Sequence, residues 1–160
     1  MPAPAGPNDI RLRKALGPPG PPARLPDGFH MRTMRPGDEA MVHALLAEVF
    51  DDGSDGPFET WWPRISADPD FDPELCFLVL DDAGRLAALA MAWKSAFLKD
   101  LAVRGGMRRR GLGDFLLRHV FETFHRRGAD HVDLKTNTVA NADAARLYRR
   151  HGMVEVGWEG

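Results

Sequence analysis

The stretch Leu98-Lys99-Asp100-Leu101-Ala102-Val103-Arg104-Gly105-Gly106-Met107-Arg108-Arg109-Arg110-Gly111-Leu112-Gly113 constrains this chain more than any other. It opens as a strand, passes through a short loop, gathers three successive arginines and ends in two glycines that start a helix. A helix N-terminus carries backbone N–H groups without intrahelical partners at the positive end of its dipole, so the stretch reads as an anion site. Gly111 and Gly113 let a bulky anion approach the backbone with no Cβ in the way. We read the stretch as a cradle for a diphosphate.

Composition narrows the ligand. A chain of 160 residues is long enough for one domain with a real core. Its formal net charge of −2 argues against a general nucleic-acid binder. The bunching of Arg104, Arg108, Arg109 and Arg110 is a local anion patch or, more blandly, a solvated basic face. The single cysteine, Cys76, forms no internal disulfide and fits a reducing, cytoplasmic compartment. Within the run Cys76-Phe77-Leu78-Val79-Leu80 it reads as a buried, inert thiol. No run of about 18 apolar residues is present, so no membrane span is expected. The N-terminus also lacks the apolar segment of a secretion signal.

Residues 1–27 hold Pro2, Pro4, Pro7, Pro18, Pro19, Pro21, Pro22 and Pro26, and read as a disordered or extended tail before a domain over 28–160. His30 to Met34 predicts a short strand. Pro36-Gly37-Asp38 supplies a turn and a helix cap ahead of Met41, Val42, Leu45, Leu46, Val49 and Phe50 at helical spacing. The acidic loop Asp51-Asp52-Gly53-Ser54-Asp55 precedes a second helix from about Phe58, short or irregular because of Pro63. Trp61 and Trp62 there read as core before they read as pocket lining.

Cys76 to Leu80, Leu86 to Trp93 and Phe97 to Val103 are strands joined by connections short enough to require an antiparallel meander. A helix follows from about Gly113 to Arg126, then a strand from His131 to Thr136. A helix over Ala144, Ala145, Leu147 and Tyr148 and a last strand from Met153 to Trp158 complete the order. The fold class is α/β, a mixed and mostly antiparallel sheet flanked by helices.

Familiar chemistries can be tested against this order. No Gly-Lys-Ser/Thr occurs, so there is no P-loop, and Leu116 stands where a dinucleotide fingerprint needs its third glycine. His119, His125, His131 and His151 lack paired ligand spacing, so no metal is expected. The Gly-x-Ser-x-Gly elbow of a hydrolase is also missing.

Leu101-Ala102-Val103 followed by Arg108-Arg109-Arg110-Gly111-Leu112-Gly113 resembles the acetyl-CoA motif of the GNAT superfamily of N-acetyltransferases, Gln/Arg-x-x-Gly-x-Gly/Ala after a strand. About 30 residues downstream, Asn141-x-x-Ala144-x-x-Leu147-Tyr148-x-x-x-Gly152-Met153 is similar to a second signature of that family, with methionine for phenylalanine. The resemblance in element order runs from about residue 30 to 158.

The resemblance implies acetyl-CoA as cosubstrate, no metal, and an amine on a small molecule or a protein as acceptor. Neither nucleic acid nor membrane is an expected partner. The strand ending at Val103 would splay from the strand ending near Thr136, with the pantetheine arm in the gap beside Leu101, Ala102 and Val103. Amides from Arg108 through Asp114 (Arg108, Arg109, Arg110, Gly111, Leu112, Gly113, Asp114) would hold the diphosphate, and one arginine side chain would reach the ribose phosphate. Asn141 is either a helix N-cap or a cofactor contact. Tyr148, the only tyrosine, matches the residue that protonates the departing thiolate; a core tyrosine is the alternative.

Two departures stand out. Some relatives end the first of those two strands in a Glu-Asp pair, and here the pair is Lys99-Asp100. Asp100 is then the candidate base, directly or through water, or else a structural or orienting carboxylate. The family also has a seventh strand after the sixth. Either this fold is trimmed of it, or a partner subunit in a homodimer or the N-terminal tail supplies it. The rival functional reading is a non-catalytic acyl-CoA-binding or regulatory module.

Overall fold

The computed structural model describes residues 6–51 and 53–158. Its first element lies inside the proline-rich N-terminal segment. Asp9-Ile10-Arg11-Leu12-Arg13-Lys14-Ala15 alternates polar and apolar side chains as far as Arg13, contains no proline and forms strand β1 (Asp9–Ala15). β2 (Phe29–Thr33), α1 (Glu39–Val49) and α2 (Phe58–Ser66) follow. The meander is β3 (Cys76–Asp81), β4 (Leu86–Trp93) and β5 (Phe97–Val103), and then come α3 (Leu112–Arg126), β6 (His131–Asn137), α4 (Ala142–Arg150) and β7 (Val154–Val156).

The sheet has the order β2-β3-β4-β5-β6-β1-β7, antiparallel except between β5 and β6. β1 pairs with β6 over its full length, from Asp9 opposite Asn137 to Ala15 opposite His131. On its other side it carries β7. The expected tail over residues 1–27 is therefore corrected for residues 9–15, which form an inner strand of the sheet; Pro2 and Pro4 lie outside the described residues. Averaged composition hid a ten-residue proline-free window, 8–17, that contains the strand, and backbone pairing on both edges offsets the entropy of ordering it. The seventh strand comes from the chain's own N-terminal segment, so the sheet needs neither trimming nor a second subunit to reach seven strands.

Each sheet face has its own core. Phe77, Val79, Ala88, Ala90 and Ala92 turn toward α3, together with Leu116, Val120 and Phe124. The alanines of β4 let that helix pack close to the strand. Cys76, Leu78, Leu80, Leu89 and Met91 turn the other way, against Val42, Leu45, Leu46, Trp61 and Ile65 of α1 and α2. Trp61 is fully buried, as the core reading has it, whereas Trp62 is half-buried and meets Phe71 edge-on at 5.7 Å. Burial pushes the Cys76 thiol far up, so it stays protonated and inert. α2 is short, with Pro63 inside it. Asp38 stands at the α1 N-cap position, but its carboxylate is taken by Arg32 and by the Arg35 N–H at 2.9 Å rather than by the helix.

Candidate active site

The site is built around a place where the sheet comes apart. β5 and β6 pair only at Phe97 opposite Asp133 and Leu98 opposite Leu134. Beyond that point β5 stays with β4 as far as Val103, and β6 stays with β1 as far as Asn137. The register on β4 shifts between Met91 and Ala92, leaving Lys99 as an extra residue between Leu98 and Asp100. A bulge bends its strand, and this one sits where the separation begins. Arg104 donates its N–H to the Ala87 carbonyl at 2.8 Å, on the β4 side. Alternation along the strand then turns the N–H and C=O of Leu101 and Val103 toward the gap, and those of Ala102 toward β4.

At the wide end of the gap lies the arginine-glycine loop. Gly111, at φ 82°, occupies the N-cap position of α3, and Arg109 also takes a positive φ of 64°. Left-handed residues alternating with right-handed or extended ones turn successive N–H groups to one side, the geometry of an anion nest. Among the described residues, no backbone acceptor is paired with the N–H groups from Arg108 to Asp114; Phe115 is the first to bond, to Gly111 at 3.0 Å. The side chains of Arg108, Arg109 and Arg110 are exposed and have no ion-pair partner among the described residues. Arg104 belongs elsewhere. Its guanidinium ties the Leu86 carbonyl (2.7 and 2.9 Å) to Glu48 of α1 (2.9 Å).

The two glycines have different tasks. A Cβ on Gly111 would meet nothing within 4 Å, so that position needs glycine for its φ. A Cβ on Gly113 would lie 3.2 Å from Leu147 Cδ2, so α3 seats closely on a side chain of α4 there and any larger residue makes Leu147 give way. Leu112 is buried in the α3 core. Asp114 accepts a 2.5 Å hydrogen bond from His151 at the end of α4. Asn141 stands at the α4 N-cap position without a side-chain cap. Its capping role is corrected: the Asn137 carboxamide oxygen takes the N–H groups of Val139 (3.0 Å) and Ala140 (2.8 Å) instead, because the chain turns there before the helix begins.

Tyr148, Asp100, Lys99 and Asp55 form a chain of polar groups near the parting strands. Tyr148, 6% exposed, projects from α4 among the residues that pack beneath α3. Burial and the nearby negative charge of Asp100 hold its hydroxyl well above the ordinary phenol range, so it remains a proton donor. Burial also raises Asp100, opposed by the Lys99 ammonium 2.7 Å from its Oδ2. Asp55, from the loop between α1 and α2, reaches within 3.9 Å of the same ammonium. Asp52 of that loop lies outside the described residues.

On the α1 and α2 side of the sheet, a cavity of about 520 Å³ opens beside the narrow end of the gap, lined in part by Trp93, Phe97, Lys99, Asp68, Asp70 and Asp133. Asp133 forms its floor with Arg11, a pair that sequence reasoning missed. The alternation in residues 9–15 was the available signal. Burial alone would raise the Asp133 carboxyl, but hydrogen bonds from Arg13 and Arg11 outweigh it and hold the pKa below the usual carboxylate value.

The seven-stranded mixed sheet, parted beside a helix N-terminus, is the fold of an acetyltransferase. The chain belongs to the Acetyltransferase (GNAT) family, whose model matches residues 39–153. It is 31% identical over 136 residues to streptothricin acetyltransferase of Streptomyces lavendulae, a match covering 82% of this chain and 66% of that protein. A GCN5-related N-acetyltransferase from Sphaerobacter thermophilus superposes with a TM-score of 0.80 at 30% identity, over 92% of this chain and 48% of the other. The chain thus spans just under two thirds of one relative and about half of the other. The aminoglycoside N-acetyltransferase AAC(6′)-Iy, solved in complex with CoA, shares the fold at a TM-score of 0.64 and 17% identity, over 84% of this chain and 94% of that one. No helix among the described residues is long and apolar enough to cross a membrane.

Proposed function

We propose that this chain transfers the acetyl group of acetyl-CoA to the amine of a small, cationic acceptor by direct attack of the amine on the thioester. The observation that carries the reading is the parting of β5 from β6 after Leu98 and Leu134, next to a run of unpaired amides that begins at Arg108. The chemistry of the gap fits the cosubstrate along its length: open backbone groups at Leu101 and Val103 suit pantetheine amides, and the loop suits a diphosphate. Acetyl-CoA supplies the activated acyl thioester. Asp100 takes the proton that the acceptor amine must lose, and Tyr148 gives one to the departing thiolate. The Val103 N–H donates to the carbonyl oxygen as it gains charge.

Asp55, Asp68 and Asp70 around the acceptor side support a cationic substrate, as does the relation to streptothricin acetyltransferase. A buried lone thiol fits a cytoplasmic setting. The rival reading, a module that binds acyl-CoA without turning it over, draws on Lys99 beside Asp100. A screen of aminoglycosides, streptothricin, polyamines and peptide N-termini for CoA release separates the two. Release with at least one small cationic amine is expected, and acetyl-CoA binding with no release across the panel would support the rival.

A further inference from the structure

Lys99 is an amine that the chain itself places beside the reacting groups. On a regular strand Lys99 and Asp100 would point to opposite faces of the sheet. The bulge between Leu98 and Asp100 breaks that alternation, and Lys99 Nζ lies 2.7 Å from Asp100 Oδ2. Asp55, on the loop between α1 and α2, approaches the same nitrogen at 3.9 Å. The lysine is half-buried, and its nitrogen rides on a flexible aliphatic stem.

An acceptor nitrogen that gives its proton to Asp100 must come within hydrogen-bond reach of that carboxylate. The Lys99 nitrogen already meets this requirement. A tethered amine has also lost in advance the translational freedom that a free acceptor loses on binding, so it competes at high effective concentration. The contact with Asp100 favours the ammonium, which holds the nitrogen out of reaction until a proton leaves. Burial raises the Asp100 carboxyl, making it a better proton acceptor than an ordinary aspartate.

We propose that Lys99 is a site of self-acetylation, modified from bound acetyl-CoA when no external amine occupies the acceptor place. The proposal rests on the acetyl-CoA reading above. The Lys99 nitrogen bonds to the acetyl carbonyl carbon as the carbon–sulfur bond breaks. Of the two protons that the ammonium loses, one leaves through Asp100 to solvent. The other replaces, on Tyr148, the proton that the tyrosine gives to the thiolate. The products are the lysine amide, CoA and one proton. A neutral amide then stands beside Asp100, without the charge that opposes its burial, so a chain that idles with acetyl-CoA weakens its own base at low pH.

Incubation of the full chain with acetyl-CoA alone, followed by peptide mass spectrometry, tests it. Lys99 is expected to gain one acetyl group ahead of the other lysines, Lys14, Lys94 and Lys135. Lys94 and Lys135 are exposed and Lys99 is half-buried, so acetyl phosphate, acting from solvent, should give the reverse order. Asp100→Asn should slow the Lys99 reaction about tenfold or more, the scale of a lost general base. An excess of any amine that the chain accepts should slow it as well. Binding of acetyl-CoA, seen by thermal shift, with no acetyl group on Lys99 would overturn the proposal and leave the cosubstrate reading standing. So would acetylation that follows exposure, or that proceeds unchanged in Asp100→Asn or with an accepted amine in excess. No thermal shift with acetyl-CoA would remove the reading and the proposal together.

Discussion

Arg11 and Asp133 form a buried ion pair that fastens the N-terminal strand to the middle of the sheet. Arg11 is 1% exposed, its Nε lies 2.9 Å from the Asp133 carboxylate, and its Nη1 donates to the Trp158 carbonyl at 3.2 Å. Arg13 grips the same carboxylate at 2.8 and 3.0 Å. One aspartate thus joins β6 and β1, and Arg11 extends the clamp to the chain beyond β7. Breaking it from the acidic side leaves a buried guanidinium without its counterion. Asp133→Asn should cost about 3–5 kcal/mol in urea unfolding at pH 7. Because the folded pKa of Asp133 is depressed, its contribution is complete above the unfolded value of about 4 and fades as pH falls through the lower folded value. The stability gap between the variant and the parent chain should therefore close in acid. A loss under about 1 kcal/mol at pH 7 would show the clamp to be idle.

β1 should behave as core, not as an appendage. Leu12 is fully buried between β6 and β7, opposite Leu134 and Glu155. Leu12→Ala should destabilise by about 2–5 kcal/mol, measured by thermal or chemical unfolding. Val154→Ala, at an exposed position of β7, should stay within about 0.5 kcal/mol. Equal effects at the two positions would contradict the inner placement of β1.

The meander, the crossover through α3 and the motif helix α4 were legible because each rests on local periodicity: Cys76 to Leu80 as an apolar run, Leu112 to Phe124 at helical spacing. β1 was not, because its stability comes from partners more than 120 residues away in sequence, as with Arg11 and Asp133. The glycines mark the loop as an anion cradle in sequence, but the close seating of Gly113 on Leu147 is a tertiary contact across 34 positions that the local pattern does not encode. In sequence, Lys99 is no more than a departure from the family pattern. Its position on a bulge, where it contacts Asp100 and approaches Asp55, follows from strand register, which residue types alone do not encode.

Tyr148 carries a sharp kinetic expectation. Its hydroxyl stays protonated throughout the neutral range, so removing it deletes a donor and changes little else. Tyr148→Phe should lower kcat about 100-fold, with KM for acetyl-CoA within about twofold. Steady-state kinetics with an accepted amine make the measurement. Unchanged turnover would reduce Tyr148 to a packing residue.

Lys99 should set the pH at which Asp100 becomes a base. Its ammonium opposes the burial that raises the Asp100 carboxyl, so its removal lets that pKa climb further. In Lys99→Met the acidic limb of the kcat/KM profile should move to higher pH, and Asp100→Asn should lose most of its activity at every pH. A limb that stays in place in Lys99→Met would show that Asp100 does not limit the rate on the acidic side.

The two glycines of the loop should fail in different ways. Alanine at Gly111 meets no neighbour within 4 Å but must hold a φ of 82°, at a cost of about 1–2 kcal/mol. The loop can escape that cost by relaxing, which scatters the amides, so Gly111→Ala should raise KM for acetyl-CoA and leave kcat nearly intact. Alanine at Gly113 keeps the backbone but places its Cβ 3.2 Å from Leu147 Cδ2. Leu147 must then give by a few tenths of an ångström, and Tyr148 is the next residue on that helix, so Gly113→Ala should lower kcat more than it raises KM. Leu147→Ala clears the space, and the double variant should recover turnover relative to Gly113→Ala alone. Loss of affinity without loss of turnover in Gly113→Ala, or no recovery in the double variant, would mean that the contact with α4 does not position the tyrosine.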